Sequence, residues 1–406
     1  MRPTRRDLLG GASAAAVMIT GAAALAQKKY DDGATDTEIK LGNTNPYSGP
    51  ASSYGTIGKA LDGYWRMVND QGGINGRMVK FISLDDGYSP PKTVEVVRQL
   101  VEQEKVLALF QTLGTPCNSA IHKYINQRKV PHLFIASGAS KWGNPKEYPW
   151  SMGYQPDYIT ESTIYAKHIL ATIPDARIAV LMQNDDYGKD YYEGFRHALG
   201  KDVGRIVKHV TYEVTDPTVD SQIIQLKDSG ANVFFNIAIP KFAAQAMRKA
   251  AEIGWRPQQY LNSVSGQVGL TMKPAGFQNV QGVISTLWLK DPTDRQWDND
   301  EEMKVWRAWM AKYNPALDPN EVNLVYAYSV ASLMRETLRK CGDLLTRENL
   351  MKQAASHQKL RVPGLLPGIL VSTSPTDFYP VQALRLERFK GEGWEQFGDL
   401  ISAEST

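Results

Sequence analysis

The loop at residues 43–54 is the part of the chain best suited to binding chemistry. It is rich in Ser, Gly and Thr, and it joins an apolar strand predicted at residues 39–42 to an amphipathic helix that ends at Gly72-Gly73. Such a loop leaves backbone N–H groups free at a helix N-terminus, where a small, partly anionic ligand is stabilised. The stretch carries no phosphate-binding lysine, metal-ligand set or catalytic nucleophile motif. It therefore predicts ligand binding rather than catalysis.

Motifs for catalysis are missing elsewhere in the sequence too. There is no G-x-S-x-G elbow, P-loop or C-x-x-C, and no G-x-G-x-x-G follows a predicted strand. The six histidines lack metal-ligand spacing such as H-E-x-x-H, so we interpret them as structural. Asp85-Asp86 could form an acid pair, although capping of the strand end and of the next helix explains it more simply. We therefore predict a protein that is not an enzyme and uses no metal or cofactor.

Strand and helix patterns alternate along most of the chain. Further strands are predicted at residues 79–84, 106–111, 132–136, 177–183, 205–212, 231–238 and 281–289. Between them apolar residues recur at helical spacing, as at Ile57, Leu61, Tyr64 and Val68. This alternation predicts an α/β fold with doubly wound parallel sheets.

The alternation occurs twice, which predicts two lobes. The expected boundaries are residues 36–153 plus 284–366 for the first lobe and residues 154–283 plus 367–406 for the second. Pro149 and Pro156 mark the first crossing between lobes, and the proline- and glycine-rich stretch 363–375 marks the last. Three crossings would form a stiff hinge rather than a loose tether.

Residues 1–26 have the features of a secretory signal peptide. A basic start precedes an Ala- and Gly-rich apolar run that ends in a small-x-small pattern at Ala24-Leu25-Ala26. The order Arg5-Arg6-Asp7-Leu8-Leu9 is typical of the twin-arginine export signal. A membrane anchor is the alternative, but the run is short and poor in large apolar residues. We expect a periplasmic protein whose mature chain begins near Gln27.

The mature chain, of about 380 residues, is long enough for two domains. Three basic residues and one acidic residue lie in the leader, so the formal charge falls from +3 to about +1. A nearly neutral chain lacks the excess positive charge that binds nucleic acid. No later apolar run is long enough to span a bilayer. A disulfide between Cys117 and Cys341 is permitted in the periplasm, but we expect two unpaired thiols.

Several short motifs follow one another in the order and at the spacing of one known family. They are Pro46-Tyr47-Ser48-Gly49-Pro50, Tyr54-Gly55, residues 69–77, Asp85-Asp86, residues 90–97, 114–124 and 137–140, Asp186-Tyr187-Gly188 and residues 248–254. With these motifs the chain resembles the leucine/isoleucine/valine-binding protein family, the periplasmic substrate-binding components of ABC importers. The resemblance covers nearly the whole mature chain. It implies a type I periplasmic binding protein fold, whose two lobes close over a ligand.

The resemblance also implies where the ligand binds. Two strand-to-helix loops would hold its carboxylate, namely Leu113, Gly114 and Thr115 in one and Gly138, Ala139 and Ser140 in the other. Tyr54 would wall the pocket from the first lobe and Tyr187 from the second. Simpler roles stay open, because the tyrosines could pack on their own lobes and Thr115 and Ser140 could be helix N-caps. For Trp288 we expect core packing rather than a place in the cleft.

The chain departs from the family pattern where the ammonium group of an amino acid would bind. Amino-acid-binding members carry an acidic residue after the strand near Tyr260-Leu261, whereas Val264 stands there in this chain. An aromatic residue expected near Ile239 is also missing. Because burying an ammonium group without a counter-charge is costly, we expect an aromatic or other non-amino acid carboxylate more than leucine. Glu252 and Asp291 are the nearest acids that could change this expectation.

The sequence thus predicts a monomeric periplasmic solute-binding protein of a branched-chain amino acid-type ABC importer. Its expected partners are a small carboxylate ligand and the permease subunits, with no nucleic acid and no membrane span in the mature chain. Two alternatives stay open: binding of branched-chain amino acids themselves, and ligand sensing for a separate receptor.

Overall fold

Alternating strands and helices build the chain, as the sequence predicts. The computed structural model describes residues 28–402, so the signal peptide predicted at residues 1–26 lies outside the described residues. The strands are β1 (Lys29–Tyr30), β2 (Glu38–Asn45), β3 (Met78–Asp85), β4 (Ala108–Phe110), β5 (His132–Ile135), β6 (Ser151–Gly153), β7 (Ile178–Gln183), β8 (Ile206–Tyr212), β9 (Val233–Ile237), β10 (Gln258–Leu261), β11 (Ile284–Leu287), β12 (Leu344–Leu345), β13 (Ala383–Lys390) and β14 (Gly393–Ser402). The α-helices are α1 (Gly55–Asp70), α2 (Pro90–Arg98), α3 (Thr115–Arg128), α4 (Tyr158–Thr172), α5 (Asp186–Leu199), α6 (Asp220–Asp228), α7 (Pro240–Glu252), α8 (Lys273–Ala275), α9 (Glu301–Tyr313), α10 (Val322–Cys341) and α11 (Arg347–Ala354).

The first lobe is built on a parallel five-stranded sheet with the order β3-β2-β4-β5-β6. Helices α1 to α3 follow strands of this sheet, and α9 and α10 return from later in the chain to pack against α1. Strand β2 runs to Asn45, three residues beyond its predicted end. The extension is possible because the buried Asn43 side chain is bonded inside the lobe: its amide donates to the Phe110 and Gln111 carbonyls at 2.9 and 2.7 Å.

The second lobe is built on a seven-stranded sheet with the order β14-β13-β11-β10-β9-β7-β8. Strands β7 to β11 are parallel, whereas β13 and β14 form an antiparallel hairpin at the edge. Two doubly wound lobes agree with the predicted fold, but the sequence did not predict this hairpin. Charged residues interrupt its apolar positions, so it lacks the continuous apolar run typical of a strand in a parallel sheet.

The chain crosses between the lobes three times, at residues 154–157, 288–300 and 355–382. The predicted boundary at residue 284 differs from the sheet assignment. Residues Ile284–Leu287 form β11, which pairs with β10 and β13, so sheet membership assigns them to the second lobe. The last two crossings are joined by a bridge between Leu289 and Leu365.

Both cysteines are buried and unpaired, as expected. Cys117 lies in α3 and Cys341 ends α10. Within residues 28–402, no helix has the length and apolar character needed to cross a bilayer.

Candidate ligand-binding site

A cavity lies between the two lobes. Its volume is about 110 Å³, against the ~10–15 Å³ that a single water needs, so it is large enough for a small organic molecule. The lobes touch at its edge, where the Tyr54 hydroxyl of the first lobe donates to the Val264 carbonyl of the second at 2.8 Å. The structure therefore shows the two lobes closed around the cavity.

The loop Leu113-Gly114-Thr115 lies on the first-lobe wall of the cavity. It follows β4, and α3 begins at Thr115. Gly114 has a φ of 100°, and a Cβ there would lie 2.5 Å from the Tyr88 ring, so this turn requires glycine. The Leu113 N–H donates to the Thr44 carbonyl at 3.1 Å and holds the loop against β2. The loop thereby presents the first turn of α3 to the cavity.

Six helices place their N-terminal ends at the cavity wall. The lining residues at an N-cap or in the first two helical positions are Tyr54 (α1), Gly114 and Thr115 (α3), Tyr158 (α4), Tyr187 (α5), Ile239 (α7), and Val322 and Asn323 (α10). The helix dipole gives each end a partial positive charge. First-turn N–H groups are already bonded within the protein at α4, where Asp157 accepts from Thr160, and at α5, where Asp185 accepts from Tyr187 and Gly188. Of the described residues that line the cavity, none is Lys, Arg or His. The backbone, rather than a cationic side chain, would stabilise a ligand carboxylate here.

Aromatic side chains make much of the remaining wall. They are Tyr54, Tyr88, Tyr158, Tyr187, Trp288 and Tyr326. Tyr158 and Tyr187 meet edge to face, with ring centroids 5.4 Å apart. Burial raises the pKa of Tyr158 to about 12, so its phenol is neutral at physiological pH. Trp288 lines the cavity, which corrects the expectation that it only packs in the core.

The second-lobe wall includes Tyr187, Ile239 and Val264, all three predicted from the sequence. The Tyr187 hydroxyl donates to Asn262 Oδ1 at 3.1 Å, and the Ile239 N–H donates to a buried tyrosine hydroxyl at 3.1 Å. The first bond holds the start of α5 against the residue that follows β10, and the second holds the start of α7 against the end of β8. Their part in ligand binding stays a prediction.

The second predicted carboxylate loop, Gly138-Ala139-Ser140, does not line the cavity. The Ala139 N–H donates to Ser137 Oγ at 3.2 Å, and the Ser140 N–H donates to Asp190 of the second lobe at 2.7 Å. These N–H groups are therefore already used by the protein. In the closed structure the loop joins the two lobes instead of facing the cavity.

Two carboxyl groups reach the cavity from outside the segment that the sequence pattern pointed to. Val264 does line the cavity, and Glu252 lies on the surface of α7 beside Arg248. Asp291, in the second crossing, and Glu387, on β13, line the cavity and are 6% and 3% exposed. Val264 led us to infer that the site has no counter-charge for an ammonium group. That inference does not hold for the whole cavity.

The two carboxyl groups differ in their surroundings. Asp291 Oδ1 accepts hydrogen bonds from the Thr293 N–H at 2.8 Å and the Thr293 hydroxyl at 2.7 Å. Burial raises the pKa of both Asp291 and Glu387, and for Glu387 the charges of Asp291, Asp294 and Glu161 raise it further. Sequence reasoning named Asp291 as a candidate but missed Glu387. No local signal marked it, because the alternation of Leu384 and Leu386 with charged residues would place Glu387 on the solvent face of the strand.

Comparison with known proteins identifies the family. A family model described as periplasmic binding protein matches residues 38–393. The chain belongs to the periplasmic binding protein family. The family inferred from the motif order is confirmed, and so is the type I two-lobe fold. Members of this family are binding proteins.

The relatives are distant in sequence and close in fold. The Leu/Ile/Val-binding protein homolog 1 of Brucella suis is 24% identical over 350 residues, which span 83% of this chain and 85% of the relative. A branched chain amino acid ABC transporter structure from Thermus thermophilus with bound valine has a TM-score of 0.81 at 16% identity, covering 90% of this chain and 97% of that one. A fatty acid ABC transporter substrate-binding protein from Thermomonospora curvata has a TM-score of 0.80 at 21% identity, covering 93% and 96%.

Proposed function

We propose that the protein is the solute-binding component of an ABC importer and closes on a small carboxylate ligand with an apolar body. The observation that carries the proposal is the cavity between two touching lobes, where six helix N-terminal ends meet and none of the described lining side chains is basic. An anion is the ligand that such helix ends favour. We further propose that the protein works in the periplasm, delivered by the leader at residues 1–26, and that permease subunits are its partners.

The apolar body of the ligand is inferred from the remaining wall. Neutral tyrosines, Trp288, Leu287, Leu289 and Ile57 surround the helix ends. Pockets of this composition bind mainly through apolar contact, and a few polar groups fix the ligand's orientation. The named ligands of two structural neighbours, valine and a fatty acid, both combine a carboxylate with an aliphatic body. This agreement supports the proposed ligand class for this chain.

An amino acid such as leucine is the second candidate, and one observation favours it. The expectation of a non-amino acid depended on the missing acid at Val264 and the missing aromatic residue near Ile239, whereas Asp291 and Glu387 bring two carboxyl groups to the cavity. Either could pair with an ammonium group. The aromatic or short-chain acid and the amino acid therefore both belong in the first binding screen.

A thermal-shift screen tests the proposed function. We expect benzoate, hexanoate and related acids to stabilise the purified protein, and the matched neutral amides benzamide and hexanamide to do so much less. At a concentration 100 times the dissociation constant, a ligand stabilises the folded state by about 2.7 kcal/mol. Equal stabilisation by each acid and its amide would contradict a carboxylate site. Deleting the cognate permease should abolish uptake for an importer, whereas it should leave the response of a sensor intact.

A further inference from the structure

Glu387 is a buried carboxyl group that the protein itself leaves without a partner. It lies on β13 at the cavity wall and is 3% exposed. No residue within 28–402 donates a hydrogen bond to its carboxyl group. The charged groups that act on it are all carboxyls, namely Asp291, Asp294 and Glu161. Buried carboxyl groups are normally hydrogen-bonded or paired with a cation, because water no longer solvates them.

Glu161 shows what a satisfied carboxyl group looks like in the same lobe. It is 1% exposed. It accepts four hydrogen bonds of 2.7 Å, from the hydroxyls of Tyr165 and Tyr191 and from the N–H and hydroxyl of Ser263. Glu387 is almost equally buried and has none of these donors. The difference is that Glu387 lines the cavity and Glu161 does not.

Ser285 is the side chain that could explain Glu387 as a purely structural residue. It stands opposite Glu387 in the antiparallel pair of β11 and β13. Its hydroxyl is buried and makes no hydrogen bond with the described chain, so it does not satisfy the carboxyl group. If Ser285 and Glu387 formed a structural pair, substituting either residue would have the same effect on ligand binding. An experiment can separate this case from direct recognition of the ligand by Glu387.

We propose that Glu387 is a specificity-determining residue that receives a protonated nitrogen group of the ligand, with Asp291 lending a second negative charge. The inference rests on the proposed function, in which the helix ends hold the ligand's carboxylate. It adds a second subsite, which binds the positively charged group of the ligand. The ligand is then a small molecule that carries both a carboxylate and an amine. The acceptor lies on the last hairpin, outside the segment after β10 where the sequence pattern lacks an acid.

A series of probes with one six-carbon body tests this assignment by calorimetry. The probes are hexanoate, 2-aminohexanoate, 6-aminohexanoate and hexylamine. We expect at least one of the two amino acids to bind the wild-type protein at least tenfold more tightly than hexanoate does. Glu387→Gln should remove this preference, so that hexanoate and the amino acid bind the variant about equally.

Two control variants separate recognition from folding. Glu395→Gln changes an exposed acid of the same hairpin that pairs with Lys390, and it should leave every affinity unchanged. Ser285→Ala should also keep the preference for the amine, whereas it would match Glu387→Gln if the two residues formed a structural pair. Because Glu387→Gln removes an unpartnered buried acid, the ligand-free variant should be at least as stable as the wild type. A marked loss of stability would indicate a structural role and overturn the assignment.

The outcomes also distinguish this inference from the proposed function. Binding of hexanoate as tight as that of both amino acids would overturn the role of Glu387 and leave the carboxylate site standing. Binding of hexylamine without hexanoate would remove the carboxylate site and support the role of Glu387. If none of the four probes bound, both proposals would be wrong.

Discussion

Ser140 of the first lobe donates two hydrogen bonds to the Asp190 carboxylate of the second, from its N–H at 2.7 Å and from its hydroxyl at 2.8 Å. The pair lies on the rim of the cleft, outside the cavity. Because the partners belong to different lobes, the bonds form only when the lobes close. They stabilise the closed state without touching the ligand.

Removing Asp190 should therefore weaken ligand binding from outside the site. We expect Asp190→Ala to lower affinity by roughly tenfold or more, because a hydrogen bond to a charged acceptor contributes ~1.5–3 kcal/mol and tenfold corresponds to ~1.4 kcal/mol. Dissociation should become faster, and stopped-flow fluorescence would measure it. Ser140→Ala removes one bond of the two and should have a smaller effect. An unchanged dissociation rate in Asp190→Ala would show that this contact does not hold the lobes.

The neighbouring ion pair across the cleft should matter much less. Lys141 Nζ lies 2.6 Å from Asp186 Oδ2, but the two side chains are 30% and 50% exposed. Exposed ion pairs contribute ~0–1 kcal/mol and are screened by salt. We expect Lys141→Met to weaken binding by less than about fivefold at low ionic strength, and by still less at high salt. An effect as large as that of Asp190→Ala, measured at both salt concentrations, would contradict this ranking.

Tyr54 tests closure from inside the cavity. Its hydroxyl bond to the Val264 carbonyl is one of the contacts that join the lobes, and that carbonyl also accepts from Gln267 Nε2 at 3.0 Å. Tyr54→Phe leaves no acceptor unsatisfied, so the cost should be that of one neutral hydrogen bond, ~1 kcal/mol or about fivefold in affinity. Calorimetry with the best acid from the screen would measure it. A gain in affinity would mean that the hydroxyl opposes closure.

Sequence periodicity predicted most of the fold because parallel strands buried on both faces read as continuous apolar runs. Strand β9 and its neighbour β7 show this, since all their residues are buried. The hairpin of β13 and β14 was not predicted from the sequence because charged residues take alternate positions there. The last residues of β2 were not predicted as strand because Asn43 is a polar residue. Only its hydrogen bonds in the structure show that it belongs in a buried strand.

The site was predictable where it depends on local geometry and unpredictable where it depends on closure. Gly114 and Thr115 line the cavity because a strand-to-helix turn places them there. Ser140 has an equivalent local setting, but Asp190, which is fifty residues away, takes its hydrogen bonds. Glu387 reaches the cavity through the pairing of β13 with β11. The two strands are about a hundred residues apart in the sequence, so no local sequence pattern predicts this contact.

Glu161 should be essential for the second-lobe wall. It holds Ser263, the neighbour of Val264, by two hydrogen bonds of 2.7 Å. Glu161→Ala would leave buried donors unsatisfied, and we expect it to lower the free energy of unfolding by about 3 kcal/mol or more. Glu161→Gln keeps one amide oxygen as an acceptor and should cost less. Urea unfolding would measure both, and equal stability of Glu161→Ala and the wild type would contradict the anchoring role.

Glu387 should also give the ligand-free protein a distinctive pH dependence. Burial, and then the neighbouring carboxyls, raise its pKa in the folded state above the value near 4.5 of an unperturbed glutamate. The folded state therefore holds a proton that the unfolded state has lost, so the contribution of Glu387 to stability is complete below about pH 4.5 and is lost as the pH rises through the folded pKa. We expect Glu387→Gln to be more stable than the wild type at pH 8, and the difference to shrink towards pH 5 by at most about 1.4 kcal/mol per pH unit. Urea unfolding of the two proteins across this range would measure it, with Glu395→Gln as the control that should parallel the wild type. A difference that stays constant with pH would show that Glu387 is ionised in both states and that the ligand-free site tolerates its charge.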